Sequence, residues 1–244
     1  MRGEKGFVSN QLILGRRLQA IADLVPASCR RLADIGTDHG YIPAALLLRR
    51  RLDTAIAADI GREPLERARR TARQYGLESR MDLRLGDGLG VLAPGEADVI
   101  VIAGMGGDAI VSILSAAPWV RAGPLLLLQP MSKAGVLRRY LPEGGFAVQA
   151  EALAAERGVL YPILSVRGGA MPPCTESQAW GGFLLEGDPL WGRYLEEHIL
   201  RLRKAAAGLE RARSPEAGEK RERFLRAAGE LAARKEAWEL AHRT

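Results

Sequence analysis

Two nearly unbroken apolar runs limit what this chain can become. They are Ala97-Asp98-Val99-Ile100-Val101-Ile102-Ala103 and Pro124-Leu125-Leu126-Leu127-Leu128-Gln129. A strand with one wet face alternates apolar and polar residues, so a continuous run needs cover on both faces. Parallel sheets between helix layers provide that cover. Around these runs, residues 31–166 alternate short β-branched or leucine stretches with helical ones. The pattern predicts strands at 32–35, 54–59, 81–85, 98–103 and 125–129, and helices at 42–51, 63–75, 108–117 and 133–141. Residues 146–152 and 159–166 read as two more strands, and polar Ala155-Glu156-Arg157-Gly158 between them predicts an antiparallel hairpin. Upstream, Leu12, Leu14, Leu18, Ile21, Ala22 and Val25 recur at helical spacing and predict a helix packed on the sheet.

At Gly168-Gly169-Ala170-Met171-Pro172-Pro173 the pattern breaks, and beyond it only helical periodicity remains. Leu195, Ile199, Leu202, Ala206 and Leu209 form one stripe; Phe224, Ala228, Leu231 and Trp238 form another after the Ser214-Pro215 interruption. Two stripes with a short connection predict an antiparallel, coiled-coil-like helical hairpin. The expected units are therefore an α/β domain over residues 1–168 and a helical domain over 169–244. Arg201, Lys204 and Arg211 flank the stripes and are candidates for an RNA-facing surface. Interspersed glutamates fit a solvated coiled-coil flank better.

Composition narrows the class. Of the 244 residues, 47% are hydrophobic, enough for a core. No apolar run approaches the roughly 18–20 residues of a membrane span. The first residues lack the apolar stretch of a signal peptide. Two cysteines, Cys29 and Cys174, exclude a disulfide framework or a cysteine zinc site, and no metal is expected. A cytoplasmic monomer is the expectation. Lys plus Arg number 35 against 29 Asp plus Glu, with both ends of the chain basic and the middle acidic. Such an excess could steer a polyanionic partner, but on charge alone the ordinary surface of a soluble protein is the better reading.

The chemistry concentrates in Asp34-Ile35-Gly36-Thr37-Asp38-His39-Gly40-Tyr41, after the first strand and before a helix. Doubly wound folds bind nucleotide-like ligands there. A dinucleotide fingerprint would place a second glycine where Asp38 stands. In dinucleotide binders that glycine lets backbone approach a diphosphate; a carboxylate there, with Asp34 beside it, repels one and favours a cation. A sulfonium cofactor fits this charge better than a nicotinamide one. Asp59 ends the second strand, where a carboxylate can accept from ribose hydroxyls; Asp87, followed by Gly88, ends the third, where it can accept from an adenine amino group. The fourth strand ends in Ala103-Gly104-Met105-Gly106-Gly107, and its glycines would let a flat base come close. A tight strand-to-helix turn without a substrate role is an equal alternative.

Together, Asp34-Ile35-Gly36-Thr37-Asp38-His39-Gly40-Tyr41, Leu85-Gly86-Asp87-Gly88-Leu89, Ile102-Ala103-Gly104-Met105-Gly106-Gly107 and Leu127-Leu128-Gln129-Pro130-Met131 closely resemble the bacterial tRNA (adenine-22-N1)-methyltransferase family. The likeness runs from about residue 12 into the helical tail. It implies a Rossmann-like class I methyltransferase with a mostly parallel seven-stranded sheet, S-adenosylmethionine at the strand ends, and a C-terminal coiled-coil-like unit assisting tRNA binding. Carried over by position, Asp34, Gly36, Asp38, His39, Gly40 and Tyr41 line the methionine side, with Asp59 on the ribose and Asp87 and Gly88 on the adenine. Ala103 and Gly104 border the cofactor, and Gly104, Met105, Gly106 and Gly107 border the target base, with Gln129 and Tyr161 nearby. The chain departs from the family where Gly15 replaces a common Ser, and where Trp180-Gly181-Gly182 replaces a more usual Phe-Gly-Pro.

Neutral adenine keeps a lone pair on N1, so the expected reaction needs no general base and no residue is assigned one. Asp38 and the carbonyls of residues 103–105 are candidates to stabilise the developing ring charge, and Met105 with Tyr161 to sandwich the base. Three other readings stay open: a methyltransferase for another RNA base or a small substrate, a non-catalytic RNA-binding scaffold, and an NAD(P) oxidoreductase.

Overall fold

The computed structural model describes residues 12–210 and 214–242. Its single sheet has seven strands: β1 (Arg31–Ile35), β2 (Thr54–Asp59), β3 (Met81–Leu85), β4 (Val99–Gly106), β5 (Leu125–Ser132), β6 (Phe146–Glu156) and β7 (Val159–Gly168). They lie in the order β3-β2-β1-β4-β5-β7-β6, with the first five parallel and β7 antiparallel to both its neighbours. Between β1 and β4 the winding reverses direction, so a crevice opens at their carboxyl ends.

Both apolar runs are buried on both faces, as their composition demands. Val99, Val101, Leu125 and Leu127 pack on one side, with Ile21 of α1 (Arg16–Asp23) and Leu46 and Leu47 of α2 (Tyr41–Leu48). Ile100, Ile102, Leu126 and Leu128 pack on the other, with Leu114 of α4 (Gly107–Ala116) and Leu137 and Leu141 of α5 (Ala134–Glu143). Alternate residues of one strand thus feed two cores. Truncating any of these leucines to alanine would cost about 2–5 kcal/mol.

Three differences from the sequence expectation are informative. β4 and β5 continue beyond residues 103 and 129, so Gly104-Met105-Gly106 is a bulged strand end rather than a turn, and α4 starts at once at Gly107. The last two strands do form a hairpin, through Arg157 and Gly158 at φ 49° and 81°. Two left-handed residues suit a tight right-twisted hairpin. β7, however, inserts between β5 and β6. Finally, α6 (Glu176–Gly181) precedes the long helices, closed by a capping box between Thr175 and Gln178.

α7 (Trp191–Gly208) and α8 (Pro215–Ala241) pack as an antiparallel pair, with Trp191 and Trp238 meeting at one end. Leu195, Ile199, Leu202 and Ala206 are buried against Ala228 and Leu231, and the cluster takes in Leu153 and Leu160 of the β6–β7 hairpin. A buried ion pair ties this tail to the sheet. Arg138 of α5 donates to Glu151 of β6 at 2.9 Å, to the Ala179 carbonyl at 3.1 Å and to the Tyr194 hydroxyl at 3.2 Å. The other Glu151 oxygen accepts from the Phe183 and Leu184 amides. Removing one partner of such a pair costs about 3–5 kcal/mol. α1, which has no cap of its own, borrows one from the sheet: Glu156 faces its first turn and the Arg17 amide at 3.5 Å. A Cβ on Gly15 would stand 2.7 Å from Glu156 Oε1, so Gly15 suits this approach.

Candidate active-site cleft

The turn after β1 is tied at several points. The Gly36 and Thr37 amides both donate to the Ala58 carbonyl of β2, at 2.8 and 3.0 Å. The Thr37 hydroxyl donates to Asp34 at 2.7 Å and accepts from the Gly40 amide at 3.1 Å. Gly36 and Gly40 sit at φ 75° and 65°, the left-handed region where glycine carries no Cβ penalty. Asp34 is consequently held under the turn, 8% exposed. Burial pushes its pKa up to about 6; the Thr37 hydrogen bond opposes that shift and the Asp59 charge adds to it.

Two clefts open beside this turn and share Gly36. One, of about 280 Å³, is lined by Asp59, Ile60, Asp87, Gly88, Met105 and Ile113. Asp59 accepts the Gly61 amide through Oδ1 at 2.7 Å, and among the described residues Oδ2 accepts from no protein donor. The other, of about 370 Å³, is lined by Asp34, Asp38, His39, Tyr41, Gly104 and Arg17. Met105 divides them. Its methyl lies over Gly36, where a Cβ would come within 1.9 Å.

Most predicted residues of the cofactor group therefore converge, but several act differently than expected. Asp38 is not a bare carboxylate: Arg67 of α3 (Arg62–Tyr75) donates to it at 2.7 Å, and His39 Nε2 stands 3.3 Å away. His39 in turn stacks on Tyr41, ring centroids 4.8 Å apart. Gln129 is fully buried, which removes it from direct contact with a base. Instead it accepts from Arg17 at 2.6 Å and from the Gly104 amide at 3.3 Å. Tyr161 lies under the Arg17 guanidinium, 5.8 Å from ring centroid to Cζ. The glycines of the β4 end also differ. Gly104 is exposed and left-handed at φ 81°, Gly106 has room for a side chain, and Gly107 is buried, where a Cβ would meet the Lys133 carbonyl at 2.2 Å. Gly107 is thus a packing residue rather than a wall for a base.

On the hairpin, Arg201 and Lys204 lie on the exposed side of α7, with Arg201 3.9 Å from Glu197. Arg211 lies outside the described residues. A larger depression, about 760 Å³, runs along the β3 edge instead of the strand ends. Of its arginines, Arg31 is engaged with Asp98, Arg84 with Asp82 and Glu96, Arg69 with Glu66, and Arg80 with backbone carbonyls.

Thr37, Arg67 and Arg17 were not singled out from the sequence. Thr37 carries a local signal, three residues from both Asp34 and Gly40. Arg67 and Arg17 carry none, because their partners are 29 and 112 positions away.

With this geometry in place, likeness to known proteins is decisive. Residues 14–164 match the methyltransferase domain family. The tRNA (adenine(22)-N(1))-methyltransferase of Bacillus subtilis is 36% identical over 208 residues, 84% of this chain and 85% of that protein. The chain belongs to the bacterial tRNA (adenine-22-N1)-methyltransferase family. Within that family, the crystal structure of the B. subtilis m1A22 tRNA methyltransferase TrmK superposes with a TM-score of 0.83 at 28% identity, covering 92% of this chain and all of the other. The Streptococcus pneumoniae protein Sp1610, a putative tRNA (m1A22) methyltransferase solved with S-adenosyl-L-methionine, superposes at 0.78 with 29% identity, covering 90% and 99%.

Proposed function

We propose that this chain methylates N1 of adenine 22 in tRNA, with S-adenosylmethionine as donor. Apart from family membership, the observation that carries the reading is the divided cleft: a free Asp59 oxygen beside an apolar slot on one side of Gly36, and buried Asp34 on the other. That donor set fits a phosphate-free adenosine attached to a cationic amino acid. Asp59 would take the ribose hydroxyls, Ile60 and Ile113 the faces of the adenine, Asp87 its amino group, and Asp34 the ammonium. When bound, S-adenosylmethionine supplies an electrophilic methyl on a positively charged sulfur. The remaining work belongs to the chain: to orient, to exclude water and to accommodate charge.

Neutral adenine holds a lone pair and no proton at N1, so no side chain would have to act as a base. Positive charge passes to the ring, where the carbonyls at the end of β4 and the ionised Asp34 would stabilise it. Asp38 contributes less than its charge suggests, since Arg67 compensates it. N1 lies on the pairing edge, so the base must be unpaired or swung out when it reaches Gly104. Residues 169–244 would act as the helical tRNA-binding unit, with Arg201 and Lys204 toward the phosphates, in a cytoplasmic monomer. Among the described residues no helix is long and apolar enough to cross a membrane.

The test is nucleoside mass spectrometry of unmodified tRNA after incubation with protein and S-adenosylmethionine. The reading predicts 1-methyladenosine mapped to position 22. Methylation at another base, or none with a tRNA that carries adenine 22, would contradict it.

A further inference from the structure

β4 and β5 run in register as far as Ala103 and Gln129, and again at Gly106 and Ser132 with the same offset. Between those points Met105 pairs with Pro130, so each strand carries one residue without a partner: Gly104 on β4 and Met131 on β5. Two bulges that cancel leave the rest of the sheet unchanged. Bulges re-aim side chains and cluster beside active sites. Here one of them, Gly104, lines the cleft of Asp34, and the other stands on the adjacent strand. One fully buried side chain holds both. Gln129 accepts from the Gly104 amide at 3.3 Å through Oε1, and its Nε2 donates to Met131 Sδ at 3.7 Å and to the Pro130 carbonyl at 2.9 Å. The two bulged residues offer different surfaces. Gly104, left-handed at φ 81°, is exposed, with nothing within 4 Å of where a Cβ would stand. Met131 is an apolar side chain anchored at its sulfur and still 43% exposed. Ile60 and Leu85 are also exposed, but they follow β2 and end β3, across β1 from this place, and Tyr41 stacks on His39.

We infer that Met131 is a binding residue for the target adenine, its thioether packing on the base where it enters over the bare backbone of Gly104. This rests on the reading that the cleft methylates adenine in tRNA, and it deepens that reading. A polarisable thioether packs favourably against an aromatic ring. Because Gln129 already restrains its sulfur, Met131 has less freedom to lose when the base arrives. The other methionine of the cleft, Met105, is turned to the donor side, with its methyl over Gly36. Gln129 thereby sets both the open floor and the apolar wall, a use for a buried amide group at the end of an otherwise apolar strand.

A tRNA with an abasic nucleotide at position 22 keeps the phosphates and lacks only the base, so it isolates the contact. Binding is measured by fluorescence anisotropy on the full chain, with S-adenosylhomocysteine present to prevent turnover. Met131→Ala should bind intact tRNA about 3–10-fold more weakly than wild type, and abasic tRNA within about two-fold of it. Met131→Leu, which restores apolar volume, should recover most of the loss, and Met131→Gln, of similar length but polar, should not. Affinity for S-adenosylhomocysteine should stay at the wild-type value in all three. Equal losses for both RNAs, or none for intact tRNA, would overturn the assignment, as would a parallel loss of S-adenosylhomocysteine affinity. If Met131→Ala fails to fold, the other two variants decide: equal affinity of Met131→Leu and Met131→Gln for intact tRNA overturns the inference. Wild type that leaves adenine 22 unmethylated would refute the functional reading itself. Wild type that methylates it, with Met131→Ala as fast at limiting tRNA, would sink this inference alone.

Discussion

The strand-end cleft and the helical hairpin are both rich in charge, and they use it in opposite ways. In the cleft, few charged groups converge, each with a distinct environment: Asp34 buried, Asp38 paired, Asp59 half-engaged, Arg17 anchored. On the hairpin, many charges are exposed and satisfied along their own helix, as in Arg193–Glu197, Arg226–Glu222 and Lys235–Glu239. Such pairs contribute only about 0.3–0.5 kcal/mol each, and salt screens them. Recognition of a small ligand therefore depends on where a few charges sit, whereas binding a polyanion depends on how many remain uncompensated. The hairpin's contribution should be broad and salt-sensitive, the cleft's sharp and local.

The largest effect should come from Gly36. Valine there would face a left-handed backbone and the Met105 methyl together, so Gly36→Val should lower S-adenosylhomocysteine affinity beyond about 100-fold. Measurable binding near the wild-type level would mean that Met105 moves aside freely. Asp59→Ala should weaken the same ligand by about 10–100-fold through lost charged hydrogen bonds, read by calorimetry. An unchanged constant would remove Asp59 from the ribose.

A smaller effect concerns pH. Asp34 titrates near 6 because of its burial. A cationic ligand binds its ionised form, so S-adenosylmethionine affinity should be level above that pH. It should then fall by up to about ten-fold per unit below it, as protonation competes with the ligand. Asp34→Asn should bind weakly at all pH values and lose this slope. A slope that persists in Asp34→Asn would assign the titration to another group. Smallest of all, Arg201→Ala with Lys204→Ala should weaken tRNA by a few-fold, roughly uniformly across tRNA sequences, with a shallower salt dependence and cofactor affinity untouched. An unaltered salt slope would move the RNA surface elsewhere.

Much of the sheet was legible because its signal is local. The runs at 97–103 and 124–129 could only be two-sided strands, and the stripes at 195–209 and 224–238 only packed helices. The bulged extension of β4 was not legible: three glycines in five residues read as a turn, and only pairing with Pro130 and Ser132 keeps them in the sheet. Nor was the place of β7, since a hairpin inserts in either order with the same local sequence. Within the site, Asp34, Gly36, Asp59 and Asp87 were readable from strand-end spacing. The neutralisation of Asp38, the burial of Gln129 and the placement of Arg17 depend on residues distant in sequence, and no periodicity records them.

The cleft's preference for a sulfonium over a diphosphate is tested most directly by parallel calorimetric titrations of wild-type protein with S-adenosylmethionine and NAD. Saturable binding of the first at one site, with no heat from the second, is the predicted result. Tight binding of NAD with none of the sulfonium compound would contradict it.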